Sequence, residues 1–404
     1  MSLVNFSEPH HIAQLTECYR PVGNGVVRSI ETLCTALNDQ GMHCSVVAPE
    51  FPGYVDLSPD VYRLPSVQAI PYPLTNVTAP LLIRSMLNQV PADLVHTHHP
   101  FLIGKLGINL ARKRRVPLIS TAHTRYDLYS HHVPLVPGEV THTVTTRWVH
   151  WYYNQCALVI APSEDTYTYL RSCGVTAPIE IISTGIPLPP PEFVSQSAQQ
   201  AARTHWKIPA AAPILLYVGR LSREKSPEVA LEAFITLARQ LPSLHFVLAG
   251  EGPLQESLSV CVQEAKLTSR VHFTGWLPTS ELSALYATTN LLLLPSTTET
   301  QGLVVGEALA AGTPVVVSDQ GGASEFLTLQ TGVRVPSTGA AFAAAALPIL
   351  GDPNRQATLQ TACLVAAQSN TPEKMAIRVR TVYRQAKRDY ISRPSIVRSS
   401  SSAR

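Results

Sequence analysis

Charge is scarce in this chain. Asp, Glu, Lys and Arg make up 15% of its 404 residues, against 45% hydrophobic and 7% aromatic residues. A sequence with that much apolar surface to bury is not a disordered polymer, because burial offsets the entropy lost on ordering. Nor does it read as a dedicated nucleic-acid binder: 31 Lys and Arg against 28 Asp and Glu leave a net +3, where such proteins carry a strong basic excess. Long apolar runs are missing too. The longest lies near Ala340–Leu350, short of the ~20 residues that a bilayer-spanning helix needs. The first residues, MSLVNFSEPHH, contain no basic segment leading into an apolar core, so no secretory signal is read there. The seven cysteines are scattered from Cys18 to Cys363 without a C-x-x-C pair. That spacing fits neither a disulfide framework nor a zinc site, and reduced thiols in a cytoplasmic protein are expected.

The length predicts two or three domains, and the pattern of elements favours two. Short β-branched runs alternate with amphipathic stretches: Ile12–Thr16, Cys44–Val47, Leu94–His96, Pro117–Thr121, Ala157–Ile160 and Ile179–Ile182 read as strands, with Val26–Leu37 and Ile103–Lys113 among the helices between them. The proline-dense segment Pro187–Pro191 and the polar stretch Ser195–Arg203 interrupt the alternation, as a stiff connector would. It then restarts with Ile214–Val218, His245–Ala249, Val271–Phe273, Leu291–Leu294 and Pro314–Val317. Alternating strands and helices imply parallel sheets, so an α/β protein of two doubly wound halves is expected. Ligands of such sheets bind beyond the carboxyl ends of the strands, and a cleft between the halves is the default site.

The residues after the strands are therefore the informative ones. After the first strand, Gly23 and Gly25 precede a helix; they could let the backbone approach a phosphate, though a plain turn explains them as well. After the first strand of the second half, Val218-Gly-Arg-Leu-Ser-Arg-Glu-Lys225 places Arg220 and Lys225 ahead of a helix, two cations suited to a diphosphate. The segment Leu294–Glu307 reads as strand, polar loop and helix, with Gln301, Gly302 and Leu303 at the helix start, Glu299 before it and Glu307 inside it. Carboxylates accept paired hydrogen bonds from vicinal hydroxyls. A cap or an exposed helix charge accounts for one Glu; the pair beside this glycine fits a sugar site better. His123 ends the strand Pro117–Thr121 and can donate or accept a proton, although a lone histidine at such an edge is more often structural. His96-Thr-His98-His99 has the spacing of a metal site but lacks an identifiable further ligand, which favours lining or packing.

Taken together these motifs resemble the retaining glycosyltransferases of the GT-B fold that carry the E-x7-E motif. Glu299 and Glu307 have that spacing, Val218–Lys225 resembles the arginine–lysine phosphate segment, and Phe273-Thr-Gly-Trp-Leu-Pro278 is similar to the loop that lines the nucleobase pocket. Pro21–Val26, Ala161–Ser163 and Ser183–Pro187 match in order, so the resemblance runs from about Ile12 to Tyr390. Thr121–Pro134 and Thr298–Val304 look most like diacylglycerol glucosyltransferases and related lipid glycosyltransferases. One departure is Lys225-Ser226-Pro227, where many members place glycine or asparagine after the lysine.

The resemblance implies two Rossmann-like domains facing each other across a cleft, an acceptor domain over residues 1–190 and a nucleotide-sugar domain over 191–370. A helix over 371–390 would cross back to the first domain, with a disordered tail over 391–404. It implies transfer of a hexose with retention from a nucleotide-diphosphate sugar, a UDP-sugar before GDP-mannose, to an acceptor hydroxyl, a membrane lipid such as diacylglycerol before a soluble sugar or polyol. Arg220 and Lys225 would neutralise the leaving diphosphate, Glu307 would hold the ribose hydroxyls and Glu299 the donor sugar. Gln301, Gly302 and Leu303, with Gly25, would contact phosphates and sugar through backbone N–H groups. Trp276 and Leu277 would line the base, and His123 would orient the reacting sugar. Asn24, Tyr126 and Tyr129 are the acceptor-side candidates. No metal and no cofactor is implied, and no nucleic acid.

Three other readings use part of this pattern. A glycosidase would use Glu299 and Glu307 as its carboxylate pair but leaves the phosphate-type cations unexplained. A GT-B sugar epimerase would need no acceptor. A non-catalytic membrane-associated module would need the site to be vestigial, against the presence of Glu299, Glu307, Arg220, Lys225 and His123 together. The charge is also unevenly placed: Thr371–Arg404 holds nine Lys and Arg against two Asp and Glu, a local +7, leaving residues 1–370 at −4. Such a segment could touch an anionic membrane, and a solvated tail explains it equally well. The cluster Arg112–Arg115 is better read as cations at a helix C-terminus.

Overall fold

The computed structural model describes residues 8–69, 74–77, 80–128 and 138–392. They divide into two compact units, one built from residues up to Gly185 together with those from Pro372 onward, the other from Ile186–Thr371.

The first unit runs β1 (His11–Leu15), α1 (Gly25–Asn38), β2 (His43–Pro49), β3 (Val61–Leu64), β4 (Ser66–Ala69), β5 (Leu74–Val77), α2 (Pro80–Gln89), β6 (Leu94–Thr97), α3 (Leu102–Arg114), β7 (Leu118–Thr121), α4 (Gly138–Tyr153), β8 (Leu158–Ala161), α5 (Glu164–Ser172) and β9 (Ile179–Ile181). Seven strands form one parallel sheet in the order β3-β2-β1-β6-β7-β8-β9, and β4 and β5 form a separate antiparallel pair. Strands β3 to β5 are not legible as strands in the sequence, because each is short and offers no sustained alternation.

The second unit runs α6 (Gln196–His205), β10 (Ile214–Val218), α7 (Pro227–Ala238), β11 (His245–Ala249), α8 (Gln255–Glu264), β12 (Val271–Gly275), α9 (Thr279–Thr288), β13 (Leu291–Leu294), α10 (Leu303–Ala310), β14 (Val315–Ser318), β15 (Gly332–Val335), α11 (Gly339–Leu350) and α12 (Pro353–Ala367). Its six strands are parallel, in the order β12-β11-β10-β13-β14-β15. β10, β11, β13 and β14 are buried along their whole length, which is why they read as unbroken apolar runs: both faces of a parallel sheet are covered by helices. The polar stretch Ser195–Arg203 is helical as α6, with Ser195 capping it by accepting from Ala198 N. The long apolar run is α11, a helix of 12 residues.

The chain returns to the first unit in α13 (Pro372–Ser392). Met375, Ala376, Val379, Val382, Tyr383 and Ala386 of this helix join Ile30, Leu33 and Leu37 of α1 and Ile12 of β1 in one core. Polar contacts fasten it as well: Arg380 and Arg384 both donate to the carboxylate of Glu8. The predicted tail lies mostly in 393–404, outside the described residues.

In both sheets the chain adds strands to one side of the first strand and then returns to its other side. The two switch points are the carboxyl ends of β1 and β6 in the first unit and of β10 and β13 in the second. A crevice opens where connections leave in opposite directions. The polar segments singled out in the sequence fall largely at these four strand ends.

Candidate active site

In the second unit, the loop after β10 is shaped by Tyr217, whose hydroxyl donates to the carbonyl oxygens of Arg220 (2.9 Å) and Lys225 (3.4 Å). Lys225 Nζ reaches Glu299 Oε1 at 2.7 Å, joining the loops after β10 and β13. Ser296 and Thr298 hydroxyls both donate to Glu224 O, at 3.2 and 3.0 Å, so the same two loops are also tied through the backbone. Arg220 is half exposed and contacts Glu224 at 3.3 Å. The two cations and the first carboxylate of the E-x7-E pair thus belong to one cluster, although 74 residues separate Lys225 from Glu299.

Ser226 explains how the chain departs from the usual glycine or asparagine. It sits in the left-handed conformation, φ 50 and ψ 46, as the N-cap of α7, and Pro227 follows at the first helical position. That conformation favours glycine or asparagine, and Pro at the first helical position is well suited to start a helix.

The start of α10 has the expected form. Gly302 is its N-cap at φ 70, and a Cβ there would lie 2.6 Å from Ala323 Cβ. Only glycine meets both conditions. Gln301 is buried beside it and Leu303 begins the helix. Gly322 N donates to Glu299 O at 2.7 Å, so the loop after β14 clamps the turn that carries Glu299. Helix termini leave backbone N–H groups without intrahelical partners and attract anions. Glu307, on α10, accepts from the Tyr286 hydroxyl at 3.0 Å. Tyr286, on α9, was not singled out from the sequence. No motif marks it; only the packing of α9 against α10 brings it there. The Trp276 side chain is exposed and its backbone N–H donates to Glu251 Oε1 at 3.3 Å, while Leu277 packs on the core.

In the first unit, Asn24 caps α1, its Oδ1 accepting from Val27 N at 3.0 Å, and Gly25 is the exposed first residue of that helix. His123 follows β7 and is partly exposed. Its Nε2 lies 2.9 Å from His98 Nδ1, with the two rings meeting edge to edge 27° from coplanar. Loss of hydration, with the neighbouring rings of His99 and His96, pushes its pKa down to about 3, so His123 is a neutral imidazole at physiological pH. The loop that carries it is pinned by Arg125, which forks onto Asp165 (2.8 Å) and Asp127 (2.7 Å). Tyr126 packs edge-on against Phe101 and lines the core; Tyr129 lies outside the described residues.

The histidines weighed as a metal site have other partners. His96 contacts the hydroxyls of Tyr383 (2.7 Å) and Thr121 (2.8 Å), and His99 accepts from Glu17 N (3.2 Å). Among the described residues no group of three or more His, Cys, Asp or Glu is placed to hold a metal ion. Glu17 is a buried carboxylate that sequence reading passed over. It accepts from Ile103 N at the start of α3 (3.3 Å), and burial pushes its pKa up to about 7.

Two parallel-sheet Rossmann-like units, with glycine loops, paired cations and paired carboxylates at their switch points, define a glycosyltransferase of the GT-B type. Residues 23–188 match the model of Glycosyltransferase Family 4 and residues 198–362 that of Glycosyl transferases group 1. The chain belongs to this family of transferase enzymes. It is 31% identical over 313 residues to an alpha-monoglucosyldiacylglycerol synthase of Streptococcus pneumoniae, covering 76% of this chain and 70% of that protein. It is 28% identical over 316 residues to the alpha-monoglucosyldiacylglycerol synthase of Acholeplasma laidlawii, covering 76% and 79%. A solved sucrose-phosphate synthase from Thermosynechococcus elongatus superposes with a TM-score of 0.74 at 25% identity, covering 93% of this chain and 98% of that one. Among the described residues no helix is long and apolar enough to cross a membrane.

Proposed function

We propose that this glycosyltransferase moves a hexose, with retention, from a nucleotide-diphosphate sugar to a hydroxyl of a membrane lipid such as diacylglycerol. The donor is a UDP-sugar in preference to GDP-mannose. The observation that carries the donor half is the Lys225–Glu299 pair at 2.7 Å beside the glycine-capped start of α10. Diphosphate departure builds negative charge on the leaving oxygen. Arg220, Lys225 and the N–H groups of Gln301 to Leu303 are fixed donors for that charge and need no reorganisation as it grows. Glu299 turns Lys225 toward this position and accepts from donor-sugar hydroxyls with its carboxylate. Glu307, oriented by Tyr286, accepts from the ribose hydroxyls. Because positive charge comes from side chains and backbone, the proposal calls for no metal and no cofactor.

His123, neutral and held by its neighbours, is assigned to the hydroxyls of the donor sugar, with Gly25 at the phosphates. Asn24 and Tyr126 remain acceptor-side candidates. The acceptor half is supported by the similarity to two alpha-monoglucosyldiacylglycerol synthases; an enzyme with such an acceptor would work at the cytoplasmic face of a membrane.

Product analysis tests both halves. The enzyme is supplied with UDP- and GDP-sugars and with diacylglycerol in mixed micelles, a soluble sugar or a polyol, with and without EDTA. A glycolipid of unchanged anomeric configuration, formed equally in EDTA, is the expected result. Nucleotide release only with soluble acceptors would overturn the lipid assignment, and full activity after Arg220→Ala with Lys225→Ala would overturn the site.

A further inference from the structure

Behind His123 lies a chain of buried polar side chains that no part of the donor site uses. His123 Nε2 meets His98 Nδ1 at 2.9 Å; His98 Nε2 meets Gln14 Oε1 at 2.8 Å; Gln14 Nε2 reaches Tyr383 Oη at 3.4 Å; and Tyr383 Oη meets His96 Nδ1 at 2.7 Å. Gln14 is fully buried in β1, His96 in β6, and Tyr383 in α13; His98 is 1% exposed. Buried polar groups in such a string must each be satisfied, and the requirement propagates from one to the next.

The starting point is the Gln14 amide, which can face only one way at full satisfaction. As placed, its NH2 group has two acceptors, Tyr383 Oη and Cys44 Sγ (3.9 Å), and its oxygen has the His98 ring as donor. Turned over, the amide would trade these two acceptors for the one ring nitrogen of His98, and a bond left unmade in a dry site costs more than one merely exchanged with water. With the amide oriented, the rest follows. His98 carries its proton on Nε2 and accepts at Nδ1. His123 must then be the donor across the 2.9 Å contact. On the other arm, Tyr383 receives from Gln14 and donates to His96 Nδ1, and His96 Nε2 donates to Thr121 Oγ1.

We propose that Gln14, His98 and Tyr383 are positioning residues that fix His123 as the Nε2–H tautomer, so that Nδ1 is the nitrogen that accepts from a substrate hydroxyl. None of the three needs to touch substrate. Which ring nitrogen of a histidine carries the proton is set by the bond its other nitrogen makes, and here that bond is specified three residues deep. One of those residues comes from the C-terminal helix, so α13 contributes to the state of His123 as well as to the core.

The use of Nδ1 rests on the assignment of His123 to the donor sugar, so the test reads the tautomer and the role separately. In the full-length enzyme labelled with 15N-histidine, long-range 1H–15N correlation spectra at neutral pH report the tautomer of His123, assigned by its loss in His123→Ala. The Nε2–H pattern is expected; an Nδ1–H or rapidly averaged pattern overturns the proposal. Tyr383→Phe and His98→Leu are expected to shift His123 toward averaging and to lower kcat about 10- to 100-fold, the range typical of a lost orienting contact, with KM for the donor changed less than threefold. His98→Gln, whose amide can accept from His123 and donate to Gln14, is expected to restore the tautomer and most of kcat. Failure of His98→Gln to outperform His98→Leu overturns the proposal. Unchanged kcat in His123→Ala with the Nε2–H pattern intact in the wild type would instead refute the role of His123 and leave the relay standing.

Discussion

Lys225 Nζ lies 2.7 Å from Glu299 Oε1, both side chains mostly buried at 23% and 15% exposure. The pair joins the two loops on either side of the switch point in the second sheet. It also changes how the residues should be tested, because neither acts alone.

Alanine at either position is expected to lower kcat by about a hundredfold or more, the usual loss when a fixed charge near the leaving group is removed. The double variant should lose much less than the product of the two, since partners in one ion pair are coupled. Steady-state kinetics across the double-mutant cycle measure this. Independent effects that multiply would show that the contact is irrelevant during turnover.

Tyr286→Phe removes the hydroxyl that donates to Glu307 Oε2 at 3.0 Å and leaves the ring packed. KM for the nucleotide sugar should rise about tenfold, as expected for one hydrogen bond to a charged group. Because ribose is remote from the breaking bond, kcat should change little. A drop confined to kcat would contradict the placement of Glu307 on ribose.

Gly302→Ala forces a Cβ to within 2.6 Å of Ala323 Cβ and strains a residue at φ 70. The loss of stability should be about 1–3 kcal/mol, read as a fall of several degrees in Tm, with transfer activity lost along with the shape of the α10 start.

At Ser226 the opposite substitution is favourable. This residue holds φ 50 without the freedom of glycine. Ser226→Gly or Ser226→Asn should stabilise the protein by about 1 kcal/mol and leave donor kinetics unaltered, as judged by thermal melts beside activity assays.

Two carboxylates give pH dependences of opposite sign. Hydrogen bonds from Arg380, then Arg384, with their charges, hold Glu8 down at about 2 despite partial burial. The unfolded chain therefore binds this proton more readily, and the stability that Glu8 adds is present above pH ~4.5 and is lost as pH falls toward 2. Burial raises Glu17 to about 7. Its contribution is present below pH ~4.5 and is lost as pH climbs through 7. Glu8→Gln should flatten the acid limb of a Tm–pH curve. Glu17→Gln, which keeps an acceptor for Ile103 N, should flatten the decline between pH 5 and 7 and raise Tm at pH 8.

Much of the frame was legible because it is written in local pattern. The fully buried strands Ile214–Val218, His245–Ala249 and Leu291–Leu294 appear with the same limits in sequence and structure, since a strand covered on both faces reads as a nearly unbroken apolar run. The short strands Val61–Leu64 and Gly332–Val335 were missed: an edge strand is only partly buried, and its pattern is weak. The segment Ser195–Arg203 reads as part of a connector, yet it caps and forms most of helix α6, held by the serine cap and by Arg203 donating to Thr288 Oγ1 and the Ala212 carbonyl.

By itself the sequence determined the two-unit α/β frame, the family, and the polar residues after the strands. These are properties of neighbouring residues: the alternation of apolar runs, a glycine where φ is positive, cations ahead of a helix. Tertiary structure alone decided which of those residues meet. Lys225 finds Glu299, Glu307 finds Tyr286, and His123 rests on a chain that begins at Gln14 and includes Tyr383 near the far end of the polypeptide. Such pairings depend on strand order and on the return of a terminal helix, which bring together residues far apart in the sequence. The requirement that every buried donor find an acceptor then fixes their protonation, a condition that no short stretch of sequence can express.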